Sequence, residues 1–214
     1  MQGDFASRRL PAEWVQACDV WLSACVSSST RQLGSRWLDT YLSAPVWRFA
    51  WGPGVVDHQW WFGVLMPSCD NVGRYFPMVI VQQRAVAPTD RIGLDHLDLW
   101  WAHLARSALA TLAEGATLEA FETALHDAPP WPFAGAIQPV AALTSTAGRC
   151  RQTVPAGATL GDITHALAAA ELQQRLSQAS FWWPLRSGGG AGSCTVLAGL
   201  PPPQAFAEML AGNW

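Results

Sequence analysis

The residue types best suited to chemistry crowd into one stretch, Met66-Pro67-Ser68-Cys69-Asp70-Asn71-Val72-Gly73-Arg74-Tyr75-Phe76-Pro77, between the apolar runs Gln59 to Leu65 and Met78 to Val81. With Asp57 and His58 upstream, Ser68, Asp70 and His58 can be imagined as a hydrolytic set, because a hydroxyl needs a nearby base to become a nucleophile. No serine in the chain, however, stands in the Gly-x-Ser-x-Gly elbow that presents such a nucleophile. The same stretch reads as a structural lock: Pro67 ends a strand, Ser68 and Asp70 bond nearby backbone amides, and Asn71 or Gly73 tolerates positive φ. Arg74 has two readings within it. Its five donors either pair with Asp70 inside the loop or face outward to clasp a partner's carboxylate or carbonyl group.

A second cluster lies near the amino terminus, Gly3-Asp4-Phe5 with Arg8 and Arg9. It is either a recognition edge or a helix start in which Asp4 or Ser7 caps orphan amides and the arginines are solvated. The candidate partner-binding residues are therefore Gly3, Asp4, Phe5, Arg8, Ser68, Asp70, Gly73 and Arg74. No metal site is expected: His96 and His103, near Asp95 and Asp98, lie seven apart on a helix, whereas helical ligand pairs lie three or four apart. Gly188-Gly189-Gly190 lacks the Lys-Ser/Thr of a phosphate loop and reads as a flexible turn, so no cofactor is expected either.

These loops need elements to hold them. Trp14, Cys18, Trp21, Leu22, Cys25 and Val26 recur at helical steps, and Arg31 to Ser43 continues as helix after a break at Gly34, until Pro45 ends it. Three strands follow: Val46 to Trp51, Trp60 to Met66 and Met78 to Arg84. Asp90 to Glu114 reads as a long helix with Leu94, Leu97, Trp101, Leu104 and Leu109 inward, and Thr117 caps a helix running to His126. From Ala128 to Gly161 the chain is rich in Pro, Gly, Ala and Thr and has no sustained period. Asp162 then caps a helix over Ile163 to Ala179. Phe181 to Trp183 and Cys194 to Leu197 form a hairpin that joins the same sheet or a satellite, and Ala205 to Leu210 closes the chain.

Two groups of strands separated by helices imply a three-layer α/β/α sandwich on a mixed central sheet. Residues 1–214 form one domain: 1–127 bear the signature, 128–161 connect, and 162–214 supply a helix, a hairpin and a terminal helix. The doublets Trp60-Trp61 and Trp182-Trp183 each place an indole on opposite faces of a strand, and either a covering helix or a partner buries the second ring.

Composition narrows the function classes. The 214 residues are half hydrophobic and only 14% charged, enough for one good core. All thirteen basic residues are arginine against sixteen acids, and the net charge of -3 argues against nucleic acid or an anionic membrane as the main partner. Five scattered cysteines without a Cys-x-x-Cys pair indicate neither a disulfide framework nor a zinc knuckle, which points to the cytoplasm. No apolar run reaches the roughly 18 residues of a membrane span.

Gly3-Asp4-Phe5, Arg8, Leu10-Pro11, Trp37-Leu38-Asp39-x-Tyr41-Leu42-x-x-Pro45-x-Trp47-Arg48-Phe49 and the signature loop occur in the order seen in the TagF (ImpM) family of type VI secretion accessory proteins, which this chain closely resembles. Phe181-Trp182-Trp183 and Gly199-Leu200-Pro201, followed by Phe206, Met209, Leu210 and Trp214, extend the resemblance over nearly the whole chain. Family members open with a strand-like Gly-aromatic-Gly-Lys-Leu/Met-Pro segment before Gly-Asp-Phe, and this chain starts almost at Gly3, so either its first strand is missing or its start is truncated. The resemblance implies a three-layer α/β/α fold and no catalytic activity. It implies a regulator that represses assembly or firing of the secretion apparatus after translation, together with a forkhead-associated-domain scaffold protein. The alternatives are an enzyme, either the hydrolase built on Ser68, Asp70 and His58 or one acting on phosphate groups, and a small-nucleotide or GTPase-associated adaptor.

Overall fold

The computed structural model describes residues 7–70, 73–88, 91–131, 144–146, 149–151, 156–185 and 193–214. Helix α1 spans Ala12–Leu33 and begins behind Pro11, whose position carries no side-chain cap; Ser7 does not occupy the cap position, and Asp4 lies outside the described residues. Pro11 fixes its own φ and no polar side chain occupies the cap position. Gly34, at φ 55, breaks the helix as expected, and a 3-10 turn (Gly34–Arg36) leads into α2, Trp37–Leu42.

Strands β1 (Val46–Trp51), β2 (Trp60–Met66) and β3 (Met78–Arg84) form an antiparallel meander. Helix α3 spans Arg91–Ala110 and α4 spans Leu118–His126; Thr117 caps α4 by accepting from the Ala120 amide. Next come the short pair β4 (Thr144–Thr146) and β5 (Arg149–Arg151), inside the connection that has no legible period, then α5 (Leu160–Leu176), β6 (Ala179–Leu185), β7 (Thr195–Ala198) and α6 (Phe206–Leu210).

The main sheet runs in the order β3-β2-β1-β6-β7, so the final hairpin joins it beside β1. All four of its strand pairings are antiparallel, which corrects the expected mixed sheet. Hydrophobic period places residues on a face but leaves strand direction to the connections, and the long passage after β3 returns β6 antiparallel to β1.

Helices cover both faces. On one, Trp47, Phe49, Trp51, Trp61, Leu65 and Trp182 meet Trp14, Cys18, Trp21, Leu22 and Cys25 of α1 and Phe206, Met209 and Leu210 of α6. On the other, Ala50, Trp60, Phe62, Val64 and Met66 meet Leu97, Trp100, Trp101 and Leu104 of α3. The two tryptophan doublets are split between these cores, Trp60 from Trp61 and Trp183 from Trp182; the α3 layer buries Trp60 and partly covers Trp183, whose ring meets Trp101 edgewise at 4.4 Å. Gly63 makes this packing possible: a Cβ there would overlap the Ile80 carbonyl oxygen and lie 2.8 Å from Phe49 Cζ.

Several boundaries differ from expectation. Helix α3 stops at Ala110, where residues 111–113 switch to i→i−3 bonds before Gly115 at φ 77. Leu94 and Leu109 are exposed, not inward, since the buried stripe through Leu97, Trp101, Leu104 and Ala108 turns away from them. Thr159, not Asp162, caps α5; Asp162 sits at the third helical position and closes the capping box, and that bonding holds its carboxyl below the usual range. Gln178, at φ 58, ends the turn after α5, and Ala179 already belongs to β6.

Candidate functional site

The signature stretch is a tight excursion between β2 and β3, which pair as far as Met66 opposite Met78. Asp70 organises it. Its Oδ1 accepts from the Arg74 amide at 2.8 Å and its Oδ2 from Arg74 Nε at 2.5 Å, while its own amide donates to the Arg74 carbonyl at 3.0 Å. Gly73 donates to the Asp70 carbonyl at 3.2 Å and turns at φ 81, the conformation that favours glycine. Cys69 and Tyr75 bridge across the loop base. Asn71 lies outside the described residues.

The lock reading of Asp70 and Gly73 is thus realised, with the Asp70 side chain only 4% exposed and Arg74 half exposed. A buried carboxylate is tolerated where charge-assisted bonds satisfy it, as the Arg74 amide and guanidinium do here. Arg74 Nε belongs to the lock, and its side chain is half exposed.

The loop sits on α2, a support that the sequence reading did not identify. Tyr41 accepts from the Ser68 amide and donates to the Ser68 carbonyl, each at 3.0 Å, while Phe76 also donates to that carbonyl. Tyr41 is fully buried, and this burial pushes its hydroxyl above the ordinary tyrosine range, so it remains a donor. Trp37 stacks on Tyr41 at 4.8 Å, Tyr75 meets both edgewise at 5.9 Å, and Trp37 Nε1 donates to Ser29 of α1 at 3.0 Å. The four-residue spacing of Trp37 and Tyr41 was the available signal, since it places both on one helix face. Leu38 and Leu42, also one turn apart, are exposed beside this seat.

The remaining candidates lie elsewhere. Gly3, Asp4 and Phe5 fall outside the described residues. Arg8 donates to Glu122 of α4 at 3.2 Å, joined by Arg9 at 3.3 Å, so neither arginine is merely solvated. His58 is exposed just before β2 and Ser68 follows its far end; a seven-residue strand separates them by about 20 Å at the rise of extended chain, beyond hydrogen-bond reach. Asp57 instead accepts from the Gln59 amide at 2.8 Å and Trp61 Nε1 at 3.0 Å. His103 Nε2 contacts the Ala124 carbonyl at 2.6 Å, and among the described residues no group of three or more His, Cys, Asp or Glu is arranged to hold a metal. No described helix is long and apolar enough to cross a membrane.

Beyond the loop, Trp47 and Arg48 of the longer motif also fasten elements together. Trp47 Nε1 donates to the Met209 carbonyl at 3.1 Å, and Arg48 pairs with Asp98 of α3 at 2.6 Å while lying over the Trp183 ring at 5.2 Å. Burial lowers the Arg48 pKa, and Asp98 opposes that shift.

Residues 1–128 match the family model of the TagF N-terminal domain, type VI secretion system-associated. Among solved structures, the crystal structure of PA0076 from Pseudomonas aeruginosa PAO1 is similar, with 35% sequence identity, a TM-score of 0.76, and coverage of 99% of this chain and 90% of that one. No curated protein matches at the same stringency.

Proposed function

Because this chain belongs to the TagF family of proteins associated with the type VI secretion system, we propose that it is a non-catalytic, cytoplasmic repressor of that apparatus. It acts after translation by occupying a forkhead-associated-domain scaffold protein, so that assembly or firing is blocked. The observation that carries the binding reading is the signature loop: a turn locked by Asp70 and seated on Tyr41, in which Arg74 is half exposed. A half-exposed guanidinium suits a protein partner that offers a carboxylate or carbonyl group.

Mixing the purified chain with the purified scaffold, followed by size-exclusion chromatography, should give a co-eluting complex. Deleting the gene should raise secretion through the apparatus. Absence of a complex together with unchanged secretion in the deletion strain would sink the proposal.

A further inference from the structure

We propose that Arg84 is a recognition point for a carboxylate side chain on a protein partner. This inference is independent of the scaffold reading, because it concerns the other end of β3. Met78 opens that strand beside the signature loop and Arg84 closes it, about 20 Å away at the rise of extended chain. The guanidinium lies over the Trp131 ring, its Cζ 4.5 Å from the ring centroid. Trp131 is itself held by the core, 4.9 Å from Phe62 of β2 and edge-on to Trp100 of α3 at 5.0 Å.

Arg84 differs from its fellows in having donors to spare. Arg8, Arg9, Arg48, Arg74 and Arg91 each pair with a carboxylate, whereas among the described residues no acid pairs with Arg84. Its Nε is sealed from solvent without a hydrogen-bond partner, while its two terminal nitrogens are not sealed in this way and can donate outward. Burial lowers its pKa with no charged neighbour opposing the shift, in contrast to Arg48, where Asp98 does so. A charged group drawn out of water calls for a partner, and a guanidinium held over an indole ring still has its N–H donors to give.

The class of acceptor follows from charge and exposure. Among the described residues no second cation acts on Arg84, so the place matches the single charge of a carboxylate better than a phosphate group, which carries about −1.5 to −2. A planar carboxylate also fits the fork of a guanidinium. Arg84 and Trp131 are each only partly covered, and an open shelf of this kind suits a side chain offered from another surface, whereas small molecules bind in enclosing clefts. The indole gives the methylene groups of an aspartate or glutamate an apolar contact beside the charge.

Titration of the whole isotope-labelled chain with capped glutamate (N-acetyl-glutamate α-amide) at constant ionic strength tests this, followed by the NMR signals of Arg84 Nε–H and the Trp131 indole N–H. Both should move and saturate, with half-saturation at about 10 mM, the range of a fragment that makes one charged contact. Capped glutamine, which has the same backbone carbonyls and no charge, should leave them in place. Arg84→Lys keeps the charge and loses the fork, and should weaken the response at Trp131 about fivefold. Arg74→Ala should leave it unchanged, so that a loss of scaffold binding in that variant bears only on the signature loop. Signals unmoved up to about 100 mM, well past the expected midpoint, or moved equally by capped glutamine, would overturn the carboxylate site. Tighter saturation by inorganic phosphate or by succinate would overturn the protein side chain as its ligand. A response undiminished in Arg84→Lys, or lost in Arg74→Ala, would overturn the assignment to Arg84; if Arg84→Lys does not fold, the titrations of the native chain decide by the same criteria.

Discussion

Replacing Arg74 by alanine separates the two duties of the signature loop. The change deletes the Nε contact to Asp70 Oδ2 at 2.5 Å and leaves the backbone donation to Oδ1 at 2.8 Å, so a carboxylate with a 4% exposed side chain keeps its charge with one partner fewer. A hydrogen bond to a charged group is worth about 1.5–3 kcal/mol, and because the guanidinium is half exposed the lower end applies, about 1.5 kcal/mol. For a chain of this size 1 kcal/mol moves Tm by about 2–4 °C, so Arg74→Ala should melt about 3–6 °C lower while remaining folded at room temperature. Thermal melts followed by circular dichroism measure this, and scaffold binding is titrated on the same preparations. Asp70→Ala and the double variant complete a cycle whose coupling energy should be about 1 kcal/mol. A Tm within about 1 °C of the native chain would refute the lock, since the lost bond alone demands more. A lowered Tm with undiminished scaffold binding would refute the recognition role and leave Arg74 purely structural.

Tyr41→Phe strips the hydroxyl that serves both backbone groups of Ser68, and should cost about 2 kcal/mol in urea unfolding; a loss under about 0.5 kcal/mol would mean water replaces it. Gly63→Ala should destabilise by more than about 3 kcal/mol, seen as a collapsed melting transition or insoluble protein, because the methyl overlaps the β3 backbone. Burial raises the Cys18 and Cys25 pKa values from 9.0 to about 12, so stability present below pH 9.0 is lost as pH rises toward 12. The expected slope is about 1.4 kcal/mol per pH unit for each thiol. Urea unfolding between about pH 8 and 10 should show it, and the Cys18→Ala/Cys25→Ala variant, though weaker at neutral pH, should lose most of the slope. An unaltered slope in that variant would place the alkaline sensitivity in other groups.

Much of the fold was written in local patterns. Trp14, Cys18, Trp21 and Cys25 announce the buried side of α1 by their spacing, and Gly34 and Pro45 mark where helix must stop. The doublets Trp60-Trp61 and Trp182-Trp183 already require apolar cover on both sheet faces, because neighbouring side chains on a strand point opposite ways. Errors gathered where local signals tie. Thr159 and Asp162 are both good helix-start residues, and which of them is the cap depends on where backbone bonding begins. Leu94 and Leu109 lie near the buried stripe of α3 in sequence, yet the helix is rotated so that Leu97, Trp101 and Leu104 face the sheet.

The candidate site divides in the same way. Residue chemistry alone made Asp70 and Gly73 a turn, because a short carboxylate bonds amides two to four residues away and glycine alone turns freely at positive φ. Sequence could not show that Tyr41 holds Ser68 or that Glu122 takes both Arg8 and Arg9. Such partnerships join residues far apart along the chain, and no local period encodes which helix face meets which loop. Only the packed arrangement of α1, α2 and α4 around an antiparallel sheet decided them, because their energy comes from contacts that exist after the layers close.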